Sequence, residues 1–343
     1  MEQVLRPVRL LMNAQLIRRV DEVIASGLGG FTTREELIEE ALNSYLLELR
    51  DINFRSPDLS VGKPVAGTLQ EGTEVVRDEG RSRSVPTRII SLPSGFATQG
   101  DEMFVEDVPL LGLHNRDWPS LWALSRLAHV SAAGPVPFAS FLEDVTAEAW
   151  RLAASLQAEL GAHAKPATLM LPTNVLKKQS ANIGFQNFAV GSVSSKPHHR
   201  GLHKVTGPLP VWRAIAFLKG AKGLQVSLTK QGWELLKIVD GLGADQPHNR
   251  GVAEAFFSYL RANSPSDWWG FETMLREVSH TPTRDALLTA MADAREWSPS
   301  IASSATQGYI ARSREWGLVE PKLTGGTYRL TDFGKETLHN VQR

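Results

Sequence analysis

Side chains able to do chemistry are thinly spread along this 343-residue chain. His198, His199 and His203 lie close together, but in a Gly/Pro loop beside lysines and with no carboxylate among them, so a basic surface is expected rather than a metal site. Zero cysteines exclude thiolate zinc sites, iron–sulfur clusters, disulfides and cysteine nucleophiles. Asp117 in HNRDWPSLW and the Glu143-Asp144 pair are isolated carboxylates, expected as caps or surface groups. Trp268-Trp269 offers a stacking platform for bases, with core packing as the competing expectation. The chain lacks G-x-x-x-x-G-K-[ST], G-x-G-x-x-G after a strand, H-E-x-x-H and G-x-S-x-G. No enzymatic activity, metal or cofactor is therefore expected.

Charge says more. The formal net charge is zero, yet residues 165–240 carry 11 Lys and Arg against only Glu234 and Asp240, a balance of +9. Two acids cannot build a two-metal nuclease centre there. A basic middle flanked by acidic neighbours is the electrostatic footprint of a polyanion partner; a solvated lysine face is the plainer reading.

These residues need elements to hold them. The length exceeds one ordinary domain, and 42% hydrophobic with 22% charged residues suits a soluble globular protein. No apolar run reaches the length of a membrane span, and MEQVLRPVRL lacks the apolar core of a secretory leader, so a cytoplasmic protein is expected. Residues 51–108, rich in Gly, Pro, Ser and charge, read as a flexible linker in which only IISL and MFVEDV offer short docking strands. Residues 109–245 read as a helical, basic domain and 246–343 as a second helical domain. Trp118, Trp122 and Trp150 are expected in the core.

The first fifty residues are the most patterned. Pro7 to Met12 reads as one short strand; Asn13 caps a helix with Val20, Val23 and Ile24 on its apolar stripe, and Gly27 sits just past its end. Thr33 with Glu36 makes a capping box for a second helix carrying Leu37, Ala41 and Tyr45 on one face. A lone strand has unpaired edges, and two copies pairing about a twofold axis would satisfy them. VRLLMN, AQLIRRVDEVIASG and GFTTREELIEEAL together resemble the ribbon-helix-helix superfamily of DNA-binding proteins (the MetJ, Arc and CopG type). The resemblance implies a homodimer whose core holds Val8, Leu10, Met12, Leu37, Ala41 and Tyr45. It implies that Pro7, Arg9 and Leu11 face the major groove, with Arg6 beside them as a further DNA-binding residue, and that Thr32, Thr33 and Arg34 anchor a phosphate. Leu11, where a polar reader is commoner, and Pro7, which removes a ribbon hydrogen bond, depart from the family pattern.

Two later stretches echo one another. VSLTKQGWELL from Val226 and YRLTDFGKETL from Tyr328 share Leu, Thr, Gly, Glu and a final Leu, each after a candidate hairpin. In each, a strand should end at Leu and the threonine cap a helix. SATQGYIARSREWGLV precedes the second as a candidate recognition helix, with Gln307, Arg312 and Arg314 expected on exposed turns and the two arginines expected to bind DNA. Helix, hairpin and L-T-x-x-G resemble the wing and closing helix of winged helix-turn-helix domains. The first copy places Lys219, Lys222 and Lys230 where a wing meets phosphate; the near-neutral second copy suits a protein partner.

The sequence thus predicts a mainly α (α+β) chain: an N-terminal ribbon-helix-helix unit over 1–50, a linker, and a helical body with one or two winged-helix-like units. The expected partners are double-stranded DNA and a second copy of the chain, in a bacterial or plasmid repressor. The alternative is an adaptor subunit of a larger nucleic-acid assembly, such as an anti-phage defence or plasmid-partition complex.

Overall fold

The computed structural model describes residues 17–18, 20–21, 34, 88–95, 109–110, 115–160, 178–197, 203–220, 223–244 and 249–341. The chain divides into two compact units, Met1–Val75 and Val76–Arg343. The described residues are mainly helical, with two small antiparallel sheets. No helix among them is long and apolar enough to cross a membrane.

Of the first unit, Ile17, Arg18, Val20, Asp21 and Arg34 are helical, and Val20 is buried, as its place on the apolar stripe requires. The ribbon and the rest of both expected helices lie outside the described residues.

The second unit begins with α1 (Trp118–Val130), buried on nearly every side, as a helix reading WPSLWALSRLAHV must be. Trp118 and Trp122 stack within it at 6.5 Å. A short strand β1 (Val136–Pro137) leads into α2 (Phe138–Leu160), which buries Phe138, Phe141, Val145, Ala149, Leu152 and Leu156 at three- and four-residue spacing. Then come α3 (Lys178–Phe185) with a π-helical turn to Val190, the hairpin β2 (Ser192–Pro197) and β3 (His203–Thr206), and the short α4 (Pro208–Val211). Strands β4 (Ile215–Gly220) and β5 (Gly223–Leu228) form a second hairpin, and α5 (Lys230–Val239) closes this half. The sheet order is β1-β5-β4, with Val136 opposite Val226 and Ile215 opposite Leu228.

Helix α6 (Arg250–Asn263) leads to α7 (Pro265–His280), α8 (Arg284–Arg295) and α9 (Pro299–Glu315); a tight hairpin and α10 (Asp332–Val341) follow. One continuous apolar core runs through α1 to α10. The body expected as two domains meeting at 245–246 thus lies within one compact unit.

The expected linker is not wholly a tether. Ile90 N donates to the Leu242 carbonyl, Gly241 N to the Ile90 carbonyl and Ala244 N to the Arg88 carbonyl, and Ile90 is 1% exposed. Ser91 exchanges hydrogen bonds with the Ser125 hydroxyl on α1. Farther along, buried Leu110 donates its N–H to the Tyr309 hydroxyl on α9. IISL docks because its apolar side chain and its backbone groups both find partners, which satisfies the two costs of burying a strand.

Candidate nucleic-acid interface and the buried centre

The two echoing strings make the same joint, bond for bond. Trp212 and Trp316 each end a helical turn, and the next residues, Arg213 and Gly317, take left-handed backbone at φ 55° and 72°. Ala214 and Leu318 then start the hairpins. Thr229 N donates to the Ala214 carbonyl and Thr331 N to the Leu318 carbonyl, both at 3.1 Å. The threonine hydroxyls donate to the Arg213 and Gly317 carbonyls at 2.6 Å, and accept from Gly232 N and Gly334 N at 2.9 Å. That second contact is the expected helix cap. The glycines are obligatory for a steric reason: a Cβ would lie 2.0 Å from the Ala214 carbonyl oxygen or 2.1 Å from that of Leu318. The hairpins correspond as well: Val319 bridges Leu330, and Tyr328 N donates to the Pro282 carbonyl between α7 and α8, as Val226 pairs with Val136 between α1 and α2.

Between the two copies lies a buried polar centre. Asp117, at the start of α1, accepts from Arg312 Nε at 2.7 Å and from Trp316 Nε1 at 2.6 Å. Asp267, in the first turn of α7, accepts from Arg312 Nη1 and Nη2, from the Tyr309 hydroxyl and from Trp212 Nε1. Each copy's tryptophan therefore reaches the Asp-Trp pair that opens the other copy, a reciprocity characteristic of isologous interfaces. Phe256 of α6 stacks on Trp316 at 4.5 Å and meets Trp212 edge-on at 5.6 Å. Glu315 accepts from Asp117 N and Trp118 N, and so caps α1 from the end of α9. Burial alone would lower the pKa of Arg312, but Asp117 and Asp267 outweigh it and hold the guanidinium charged. Burial, reinforced by Asp267, keeps the Tyr309 hydroxyl protonated and donating.

This centre corrects two expectations. Arg312 is not on an exposed turn and cannot touch DNA; it is 1% exposed, because two carboxylates from distant helices neutralise it. Asp117, expected as an isolated cap or surface carboxylate, is likewise fully buried. Arg314 is half-buried, donates to the Glu320 carbonyl and covers the Tyr328 ring, so it braces the second hairpin. Gln307 is exposed.

Lys219 on β4 and Lys230 at the start of α5 are exposed, and neither pairs with a carboxylate among the described residues. Arg34 is exposed but grips Asp21 through two hydrogen bonds of 2.6 and 2.7 Å. Arg6, Arg9, Leu11, Thr32, Thr33, Lys222 and the expected dimer-core residues Val8, Leu10, Met12, Leu37, Ala41 and Tyr45 lie outside the described residues, as do His198 and His199. No metal-ligand cluster occurs among the described residues. Trp268 is buried against Phe257 and Phe271, while Trp269 meets Trp297 edge-on beneath Arg295.

Sequence reasoning overlooked Asp267, Glu315 and the pairing of the two halves. The signal was present: Asp-Trp occurs at 117–118 and 267–268, and a tryptophan precedes each hairpin. No family model, curated protein or solved structure matches the chain.

Proposed function

We propose that the protein is a homodimeric DNA-binding regulator, a repressor whose N-terminal ribbon reads the major groove while a body of two fused winged-helix units holds the duplex backbone. The observation that carries the body's share is the repeated order of helix, strand segment, helix, helix, hairpin and capped helix, into which the first copy inserts the β2–β3 hairpin and α4 before its wing. In both copies the second hairpin strand bonds the segment between the first two helices. That order is the one a winged helix requires, with the hairpin as the wing. The sequence resemblance of residues 7–49 to ribbon-helix-helix proteins supports the N-terminal share.

The test is fluorescence anisotropy of the full chain on its own upstream DNA and on a scrambled duplex across a salt series. A regulator prefers the upstream duplex at high salt, and Arg9→Ala costs it about 1–3 kcal/mol of that discrimination. Equal binding of both duplexes, unchanged by Arg9→Ala, would sink the reading.

One observation favours an adaptor instead. The exposed face of α9, where a recognition helix would lie, shows Ser300, Ile301, Ser304 and Gln307; of the two arginines in its last turn, Arg312 is buried and Arg314 braces the hairpin. Such a face suits a protein partner better than phosphate.

A further inference from the structure

Because the two hairpin modules share a backbone, their surfaces can be compared position by position, as an experiment already performed within one chain. Register in the hairpins and the shared cap set the correspondence. Arg213 answers to Gly317, both left-handed and both one residue after the tryptophan. Lys219 answers to Leu323, Lys230 to Asp332 and Lys237 to His339. All four of these basic residues of the first module are exposed. None of their counterparts is a lysine or arginine. Over residues 213–239 five basic residues stand against Glu234 alone, a balance of +4, whereas 317–341 carry three of each sign.

The second module's charges are partly paired off, although Lys322 and Arg329 stay exposed without a carboxylate partner among the described residues. Lys335 pairs with Asp332 at 2.9 Å, and Glu336 pairs with Arg250 of α6. Among the described residues of the first module only Lys237 has such a partner, Glu234. Arg213 and Lys230 lie at one end of the sheet, where the Arg213 carbonyl accepts from Thr229, and Lys219 lies toward the hairpin tip. The basic positions therefore follow the length of one hairpin and the start of its closing helix.

We infer that the first hairpin module alone is the body's phosphate-binding surface, and that its ligand is the backbone of a nucleic-acid duplex regardless of sequence. This rests on the DNA-binding reading above. Lysines dominate the surface, and lysine meets phosphate as a point charge without the rigid fork that reads a base edge. Its contribution is affinity and steep salt dependence, shared equally by any sequence.

The experiment exchanges residues between the modules in the full chain. One variant gives the first module the second's residues (Arg213→Gly, Lys219→Leu, Lys230→Asp); a control removes charge from the second (Lys322→Gln, Lys335→Gln). Both are measured by anisotropy on the upstream and scrambled duplexes over a salt series, with circular dichroism to establish folding. The first variant weakens binding to both duplexes at least tenfold and flattens the salt slope by about 0.9 for each phosphate no longer neutralised. The control changes neither. If the control weakens binding as much as the exchange, or the exchange leaves the slope intact, the inference is overturned while DNA binding stands. If the unaltered chain binds no duplex but sediments with phosphatidylserine vesicles, both readings fall. Should the triple exchange unfold, Lys219→Gln with Lys230→Gln carries the same test.

Discussion

Lys230 follows the threonine that caps the first closing helix, and Asp332 follows the threonine that caps the second, although the hydrogen bonds behind those two residues are the same. The carbonyls of Ala214 and Leu318 accept the same hydrogen bond, and Gly232 and Gly334 leave the same Cβ-sized gap filled by backbone. The difference teaches where selection of residue type is dictated by packing and where it is free. Threonine and glycine are fixed by geometry inside the joint; the outward residue one step away is not, and there the copies have diverged in charge. The buried centre shows the same split. Its two tryptophans are reciprocal, but the residue four positions before each is Pro208 in one copy and Arg312 in the other.

The comparison breaks most decisively at Arg312. Arg312→Ala leaves Asp117 and Asp267 buried without a countercharge and should cost about 3–5 kcal/mol in urea unfolding. Pro208→Ala at the equivalent position should cost no more than about 1 kcal/mol, chiefly through added freedom of the unfolded chain. Comparable losses at both positions would show that the centre is not governed by its charges. Next in size, Gly232→Ala and Gly334→Ala should each destabilise by about 1–3 kcal/mol, because a carbonyl must move to admit the methyl. The two values should agree; a neutral result at either glycine would end the claim of equivalence. Replacing the caps, Thr229→Val and Thr331→Val, should cost about 1 kcal/mol apiece in thermal denaturation.

The smallest expected effect concerns pH. Burial raises the phenols of Tyr259 and Tyr309 above their ordinary value. The fold keeps both neutral while the unfolded chain ionises above about pH 10. Their share of stability is therefore complete below that pH and declines as pH rises through and beyond it. In a spectrophotometric titration, Tyr259 and Tyr309 should resist ionisation until the protein unfolds. If both titrate at the ordinary tyrosine value in the folded protein, the hydroxyls are not held as described.

What was legible in the sequence was local. The L-T-x-x-G strings, the hairpins before them and the caps after them could be read because each depends on residues within a dozen positions. Trp118 and Trp122 were legible as core because nothing else suits so much aromatic surface. Arg312 was misread because helix periodicity records which residues share a face, and not whether that face meets water or a pair of carboxylates supplied from elsewhere. The docking of IISL was visible only as a short apolar run, since its partners at Leu242 and Ser125 lie far along the chain.

Asp117 and Arg312 are 195 residues apart, and Asp117 and Trp316 are 199 apart. During synthesis at roughly 5–20 residues per second, the first half waits on the order of 10–40 s for the residues that complete it. Until then the Asp117 carboxylate at the start of α1 has no guanidinium and no indole to pair with. The centre is therefore unfinished until residue 316 has been made, and a truncation after residue 311 would leave Asp117 and Asp267 without their shared guanidinium.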